Sequence, residues 1–547
     1  MIRFLIFFLF TSLSVFAQQT RPVDDSITTR LGLRPRQYTL PDARAYGETI
    51  TAADMKILID TLASNSMEGR ETGEQGQQIA ADFIAQQFAE LGLPKAADRN
   101  TYFQNIYLQR ESWSDLALKV EEQEFKNRSD YFVFAANNTS LPATKIKELV
   151  FVGYGIEDGK YNDYGKMDVR GKAVIFYSGD PLDAAGKSLL TGVEARSAWA
   201  LDWKRKVQLA TDKGATMVFI IEPDFESFFK TNRRQMSGRG WEPYSPSAAA
   251  AAANKPAVVN SVFVSAAVAK ALFGKKAEEV EEAHAALRAR GNYKPFKFKT
   301  EAEVRMTKET KTLQGSNVVG LIEGSDPSAK NEYVIITAHY DHLGLHDGKL
   351  YTGADDNASG TSGVIEIARA FAKAKAEGKG PRRSVVCILV SGEEKGLLGS
   401  KFYVDFPLFP LDRTVANVNI DMIGRVDSRH SDNPNYIYVI GSNRMSTDLH
   451  EINEYANAVY TKLELDYKYN DPSDPNRYYE RSDHYNFAEQ GVPAIFYFNG
   501  THPDYHKHTD TAEKIDSAAA AKRAQLAFYT AWDLANRPTR ITVDVRK

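Results

Sequence analysis

The sequence predicts an α/β protein: a mostly parallel mixed sheet flanked by helices, with a β-rich segment inserted into it. Three observations carry this. From about residue 315 onward, apolar runs alternate with amphipathic stretches in a strand–loop–helix rhythm. Several of those runs are apolar at nearly every position, as strands are when helices cover both faces of a parallel sheet. Between about residues 116 and 298 the texture changes to short β-type runs separated by Gly-rich turns.

Composition narrows the class. The chain has 547 residues, of which 43% are apolar and 25% charged, as in ordinary globular proteins. Lys and Arg number 68 against 71 Asp and Glu, a formal net charge of −3. No global basic field exists to hold nucleic acid or an anionic membrane. Cys387 is the single cysteine. An intramolecular disulfide, a CxxC redox pair and a Cys-rich zinc cluster are therefore excluded, and any metal must be held by His, Asp and Glu.

The elements follow in chain order. Residues 1–17 read as a secretory signal peptide: Arg3, a continuous apolar run Phe4 to Phe10, then Val15-Phe16-Ala17 before Gln18. That run is shorter than the roughly 20 residues that span a bilayer, and no later stretch reaches that length. The mature chain is therefore expected to lack a transmembrane segment and to be exported, periplasmic or secreted. Residues 18–45, polar with scattered Pro and Arg, are expected to be a flexible leader. Met55, Leu58, Ile59 and Leu62 predict a helix over 53–63. Ile79, Ala80, Phe83, Ile84, Phe88 and Leu91 predict a second ending at Gly92. The inserted segment has β-type runs at 149–152, 173–177 and 217–221. Its stretch 248–253, flanked by Pro246 and Pro256, reads as an exposed loop, and it holds no cluster of His with carboxylates. Downstream, strands are predicted at 317–322, 333–337, 384–390, 415–420, 436–440 and 494–498. Helices are predicted at 360–375, 397–404, 447–459, 484–489 and 517–534.

Ligands of open α/β sheets bind beyond the carboxyl ends of the strands. The residues found there are consistent: His339-Tyr340-Asp341-His342 after one strand with Asp355-Asp356 a few residues on, Glu393-Glu394 after the next, and then Asp421. After the last strand comes a loop with His502, His506, His508 and Asp510. Adjacent carboxylates repel in a partly buried cleft unless something positive neutralises them. No Lys or Arg lies inside the Asp355-Asp356 and Glu393-Glu394 motifs, so a divalent metal is the natural counter-charge. Imidazole and carboxylate without thiolate suits zinc, with cobalt or manganese as alternatives, and two ions can share a bridging carboxylate. A carboxylate two residues after His339 can accept the free N–H of a metal-bound imidazole. Of the two glutamates, one can bind metal while its neighbour acts as general base.

Taken together, 338–344, 353–360, 392–400, 419–424, Ser482-Asp483-His484 and 505–511 resemble the M28 metallopeptidases, zinc-dependent aminopeptidases with two cocatalytic metals. Met67-Glu68-Gly69-Arg70 with Thr72-Gly73 resembles that family's N-terminal stretch. The resemblance implies a zinc aminopeptidase-like fold, discontinuous over 46–115 and 299–547. It implies that His339 and Asp421 bind one Zn2+, Glu394 and His506 the other, and that Asp356 bridges the two. It makes Glu393 the general base and Asp341 the residue that orients His339, with a cis peptide bond between Asp356 and Asn357. The segment 116–298 resembles a protease-associated (PA) domain, which bears no catalytic residues. The implied activity is release of N-terminal amino acids from peptide or protein substrates. Alternatives on the same motifs are a glutaminyl cyclase, a carboxypeptidase or dipeptidase, and a non-catalytic receptor-like protein. Arg425, Arg477 and Arg481 are candidates for the cationic pocket a carboxypeptidase or dipeptidase needs. Tyr478 and Tyr479 are candidates for the specificity pocket.

Overall fold

The computed structural model describes residues 25–545 except 37, 160, 237–239, 246–257 and 291–293. The expected signal peptide, the first part of the leader and the 248–253 stretch lie outside the described residues. The chain divides into two compact units, Met1–Ile106 with Gln314–Lys547, and Tyr107–Leu313. The divisions fall inside two long strands, Phe103–Val120 and Phe296–Ile322, with no proline-rich linker to mark either.

In the first unit the sheet is built from the last residues of β1 (Phe296–Ile322), then β2 (Tyr333–His339), β3 (Ser384–Val390), β4 (Thr414–Ile420), β5 (Tyr436–Ile440), β6 (Glu464–Asp466) and β7 (Ala494–Phe498). Their spatial order is β6-β5-β7-β4-β2-β3-β1. β2 pairs in parallel with both β3 and β4, β4 with β7, and β5 with β6; only β1–β3 and β5–β7 are antiparallel. The sheet is thus mixed and mostly parallel.

Every residue of β3, β4, β5 and β7 is buried. The pleat sends alternate side chains to opposite faces. On one face Val385, Cys387 and Leu389 pack into a core with Leu58, Phe88, Phe371 and Trp532. Those four come from helices α1 (Ala52–Leu62), α2 (Gln75–Glu90), α3 (Gly360–Ala376) and α7 (Ser517–Asn536). On the other face Val386, Ile388 and Val390 meet Tyr403 and Phe487, from α4 (Leu398–Asp405) and α6 (His484–Glu489). The remaining helix, α5 (Thr447–Ala456), adds Leu449 and Ile452 to the first core. Thr51 starts α1 by accepting from Asp54 N–H at 3.1 Å, and Asp516 starts α7 by accepting from Ala518 and Ala519 N–H.

The flexible-leader expectation is corrected where the chain is described. Asp25–Leu31 is helical. Arg34 forks onto Glu451, Nε lying 2.9 Å from both carboxylate oxygens, and reaches Asp448 at 2.8 Å. Arg36 pairs with Asp533 and lies over the Tyr455 ring, 3.9 Å from its centroid. Local composition misleads here because the partners of these arginines stand some 400 residues away in sequence.

The second unit is more helical than its β-type runs imply. Leu141–Phe151, Ala173–Tyr177, Met217–Ile221 and Asn260–Val264 pair successively in parallel. Parallel neighbours need crossovers, and helices such as Trp203–Asp212 and Phe225–Met236 lie between them in sequence. Only Lys206, Val207 and Ala210 of Trp203–Asp212 are buried. No helix among the described residues is long and apolar enough to cross a membrane.

Candidate metal centre

Parallel strands in register deliver their following loops to one edge. His339 stands opposite Val390, Thr337 opposite Asn419, and Ile420 opposite Tyr497. His339, Glu393-Glu394, Asp421 and the 499–511 loop therefore converge. Two glycines let the Asp355-Asp356 loop enter. Gly353 has φ +55°, and a Cβ there would overlap the Asp356 carbonyl oxygen and the His342 ring. A Cβ on Gly360 would overlap Asn357 Oδ1 and the Ile420 carbonyl oxygen. The Asp356–Asn357 bond is cis. Asn357 Oδ1 accepts from Gly360 N–H at 2.9 Å and Met422 N–H at 3.0 Å, fastening the start of α3 to the end of β4.

At the centre Asp356 divides its two oxygens. Oδ1 lies 3.3 Å from His339 Nε2 and Oδ2 lies 3.1 Å from His506 Nε2. His339 Nε2 is also 3.3 Å from Asp421 Oδ1, and His506 Nε2 is 3.2 Å from Glu394 Oε2. His342, which the sequence reading left without a role, places Nδ1 2.8 Å from Glu394 Oε1. Two groups have donor atoms within 4.8 Å of one another: His339, Glu393 and Asp421, and His342, Asp356 and Glu394. Four of the five expected ligands and the expected base fall in these groups among the described residues; His506 is in neither, although its Nε2 meets Asp356 and Glu394.

Asp341 does less for His339 than expected. Its Oδ1 is 3.7 Å from His339 Nδ1, which lies closer, 3.1 Å, to the Asp341 backbone oxygen. The carboxylate instead accepts from Thr72 Oγ1 at 2.8 Å and from Glu393 N–H at 3.2 Å, so it fixes the backbone that carries the expected base. His502 Nε2 lies 3.2 Å from Asp355 Oδ2, and the His508 ring is 6.2 Å from that of Tyr351; neither is among the two groups. Asp355 holds the framework, accepting from Gly424 N–H at 2.7 Å and Asn499 Nδ2 at 3.0 Å.

Three residues that the sequence reading named only inside motifs turn out to support the site. Arg70 is fully buried and donates to the carbonyls of Tyr340 (2.6 Å), Leu62 (2.6 Å), Thr352 (2.7 Å) and Gly353 (2.9 Å). It ties together the loops bearing His339 and Asp356. Burial lowers its pKa to about 10, while Asp341, Asp356, Asp510 and Glu394 hold its charge in place. The only signal was its place in the 67–73 turn. Asp510 accepts the N–H groups of Asp355 and Asp356 at 3.0 and 3.1 Å, and burial pushes it up to about 6. Asp483 accepts from Ser400 Oγ at 2.5 Å, and burial pushes it up to about 7.

The electrostatics describe a site short of positive charge. Burial alone would lower His339, yet Asp421, Glu393 and Asp356 raise it well above the usual imidazole range. Burial opposes the rise in His506 too, but hydrogen bonds with Asp356 and Glu394 push it to about 10. Asp356 lies well below the carboxylate range despite burial, because His339 and His506 hydrogen-bond to it. Glu393 is pushed well above that range by burial and by the charges of Glu394, Asp421 and Asp483, which outweigh His339. The nitrogen and oxygen donors, without thiolate, fit zinc.

A pocket opens over His339, Asp356, Glu393 and Asp421, walled by Met422, Tyr478, Phe496, Phe498, Tyr505 and Arg481. Arg425 pairs with Asp504 at 3.0 Å and Arg477 with Glu480 at 3.1 Å. Tyr479 packs under Arg444 instead, 4.5 Å from guanidinium carbon to ring centroid.

Residues 317–531 match the family described as peptidase family M28. A probable zinc metalloprotease of Pyricularia oryzae is 26% identical over 274 residues, 42% of this chain and 52% of that protein. Aminopeptidase YwaD of Bacillus subtilis is 28% identical over 220 residues, 38% of this chain and 43% of that protein. The chain spans about half the length of these curated relatives. Among solved structures, an aminopeptidase from Aneurinibacillus sp. strain AM-1 aligns with 92% of this chain and 99% of its own at 20% identity, with a TM-score of 0.44.

Proposed function

Residues 317–531 belong to peptidase family M28, and we propose that the protein is a zinc-dependent aminopeptidase releasing N-terminal residues from peptide or protein substrates. One observation carries the reading: Asp356 presents one oxygen to His339 and the other to His506, each imidazole also facing a second carboxylate. That is the layout of a carboxylate shared between two metal positions. His339 and Asp421 would hold one Zn2+, His506 and Glu394 the other, and Asp356 both, with cobalt or manganese as alternatives. The ions, when bound, supply electrophilic polarisation of the scissile carbonyl and acidify water.

The chain's own residues do the rest. Glu393, with a buried carboxyl raised in proton affinity, takes the proton of the attacking water and returns it to the leaving amine. Asp341 holds the Glu393 N–H and Thr72, keeping that carboxyl at the pocket floor. The free α-amino group of the substrate is met by the floor carboxylates, which restricts cleavage to the first residue. The second unit is read as a PA-like domain without chemistry of its own. The apolar run Phe4 to Phe10 supports work outside the cytoplasm.

Glu393→Gln keeps the shape of the carboxyl and removes its basicity. It should retain zinc, measured by elemental analysis, while kcat falls by about 10²- to 10⁴-fold on aminoacyl amides. N-terminal acetylation of the substrate should abolish cleavage by the wild type. Wild-type rates in Glu393→Gln, or cleavage of acetylated peptides, would overturn the assignment.

A further inference from the structure

The pocket contains one cation that the proposed reaction does not use. Arg481 lines it beside Tyr478 and Tyr505. Its guanidinium carbon stands 5.0 Å from the Tyr478 ring centroid, and Nη2 donates to Tyr505 Oη at 3.4 Å. Among the described residues no carboxylate lies within 4.0 Å of it, whereas its neighbours Arg425 and Arg477 are paired with Asp504 and Glu480. Arg481 is exposed, while Met422, Phe496 and Phe498 on the same wall are only 2%, 2% and 3% exposed. The pocket therefore has a dry apolar inner wall and a guanidinium at its open side, held by two neutral aromatic groups. An arginine on an aromatic ring keeps its N–H edge available, and that edge matches a carboxylate with two parallel hydrogen bonds.

Building on the aminopeptidase reading, we propose that Arg481 binds a carboxylate of the peptide substrate, so that the pocket favours peptides carrying a carboxylate close to the cleaved bond. Two sources offer that chemistry: the C-terminal carboxylate of a dipeptide, and the side chain of an acidic N-terminal residue. The apolar inner wall suits an apolar first side chain and so favours the dipeptide carboxylate. Arg481 is on this view a specificity determinant. It binds substrate and takes no part in proton transfer.

The test uses the zinc-loaded full chain as wild type, Arg481→Gln and Arg481→Lys. kcat/KM is measured on Phe-Ala against Phe-Ala-amide, and on Glu-Ala-amide against Gln-Ala-amide. The wild type should prefer the carboxylate-bearing member of one pair by about tenfold or more, the scale of one charge-assisted hydrogen bond. Arg481→Gln should bring that ratio to about one, and Arg481→Lys should keep part of it, having the charge without the fork. Preference in the first pair identifies the dipeptide carboxylate, and in the second the acidic side chain. A wild-type ratio near one in both pairs, or a ratio that survives Arg481→Gln, overturns the proposal alone. A wild type that cleaves none of the four peptides overturns the aminopeptidase reading and this one with it.

Discussion

Glu366 illustrates what one buried group costs. It lies on α3, is 1% exposed, and its nearest cation is Arg369 Nε at 3.4 Å. Burial pushes its carboxyl from 4.5 to about 7, Asp54 adding to the shift and Arg369 opposing it. A carboxyl whose folded-state pKa is raised keeps its proton in the native state after the unfolded chain has lost it. The stability it contributes is therefore full below 4.5 and is lost as pH rises through about 7. Glu366→Gln should flatten that slope and raise stability at pH 8 by about 3 kcal/mol, read from urea unfolding at pH 5 and pH 8. Equal gains at both pH values would show that charge is not the cause. Arg70 is the opposite case: a buried charge whose donors are matched to four carbonyls, so the fold uses it as a fastener.

At the scale of elements, the site depends on loops that leave parallel strands at one edge and on glycines that let them pass. Gly353→Ala would set a methyl group against the Asp356 carbonyl and the His342 ring at a left-handed backbone position. Because the shared carboxylate moves, zinc affinity should fall by about 10- to 100-fold, measured by competition with a chromogenic chelator. Unchanged affinity would mean that the loop has room to adjust. The strands were legible because runs such as 384–390 and 494–498 are apolar on both faces, a pattern that helices on both sides require. The candidate ligands stand out in the sequence because His and carboxylates gather in successive loops beyond those runs. The supporting roles of Arg70, Asp510 and Asp483 were not legible, since a buried charge is recognised by the carbonyls, amides or hydroxyls it meets across the fold. Some helices of the second unit, such as Trp203–Asp212, bury few residues and read as polar sequence.

Across the whole molecule the two units differ in what zinc can do for them. Both groups able to hold a metal lie in the first unit, among the described residues. Metal binding to the native state adds stability by mass action, about 2.7 kcal/mol at a hundredfold excess over Kd. Calorimetry of the full chain with and without a chelator should therefore move the transition of the first unit and leave that of the second in place. A shift of both together would mean that they unfold as one. The leader shows the limit of local reading at this scale. Arg34 and Arg36 look like solvated linker residues until the fold brings Glu451, Asp448 and Asp533 to meet them.

The one thiol, Cys387, is sealed within β3, and every donor in the metal centre is nitrogen or oxygen. Thiol–disulfide exchange therefore finds no thiol among the donors of the candidate centre. The sulfur in the pocket wall is that of Met422, a thioether that oxidation turns polar. Met422 is only 2% exposed, so the wall that it helps to build also shields it.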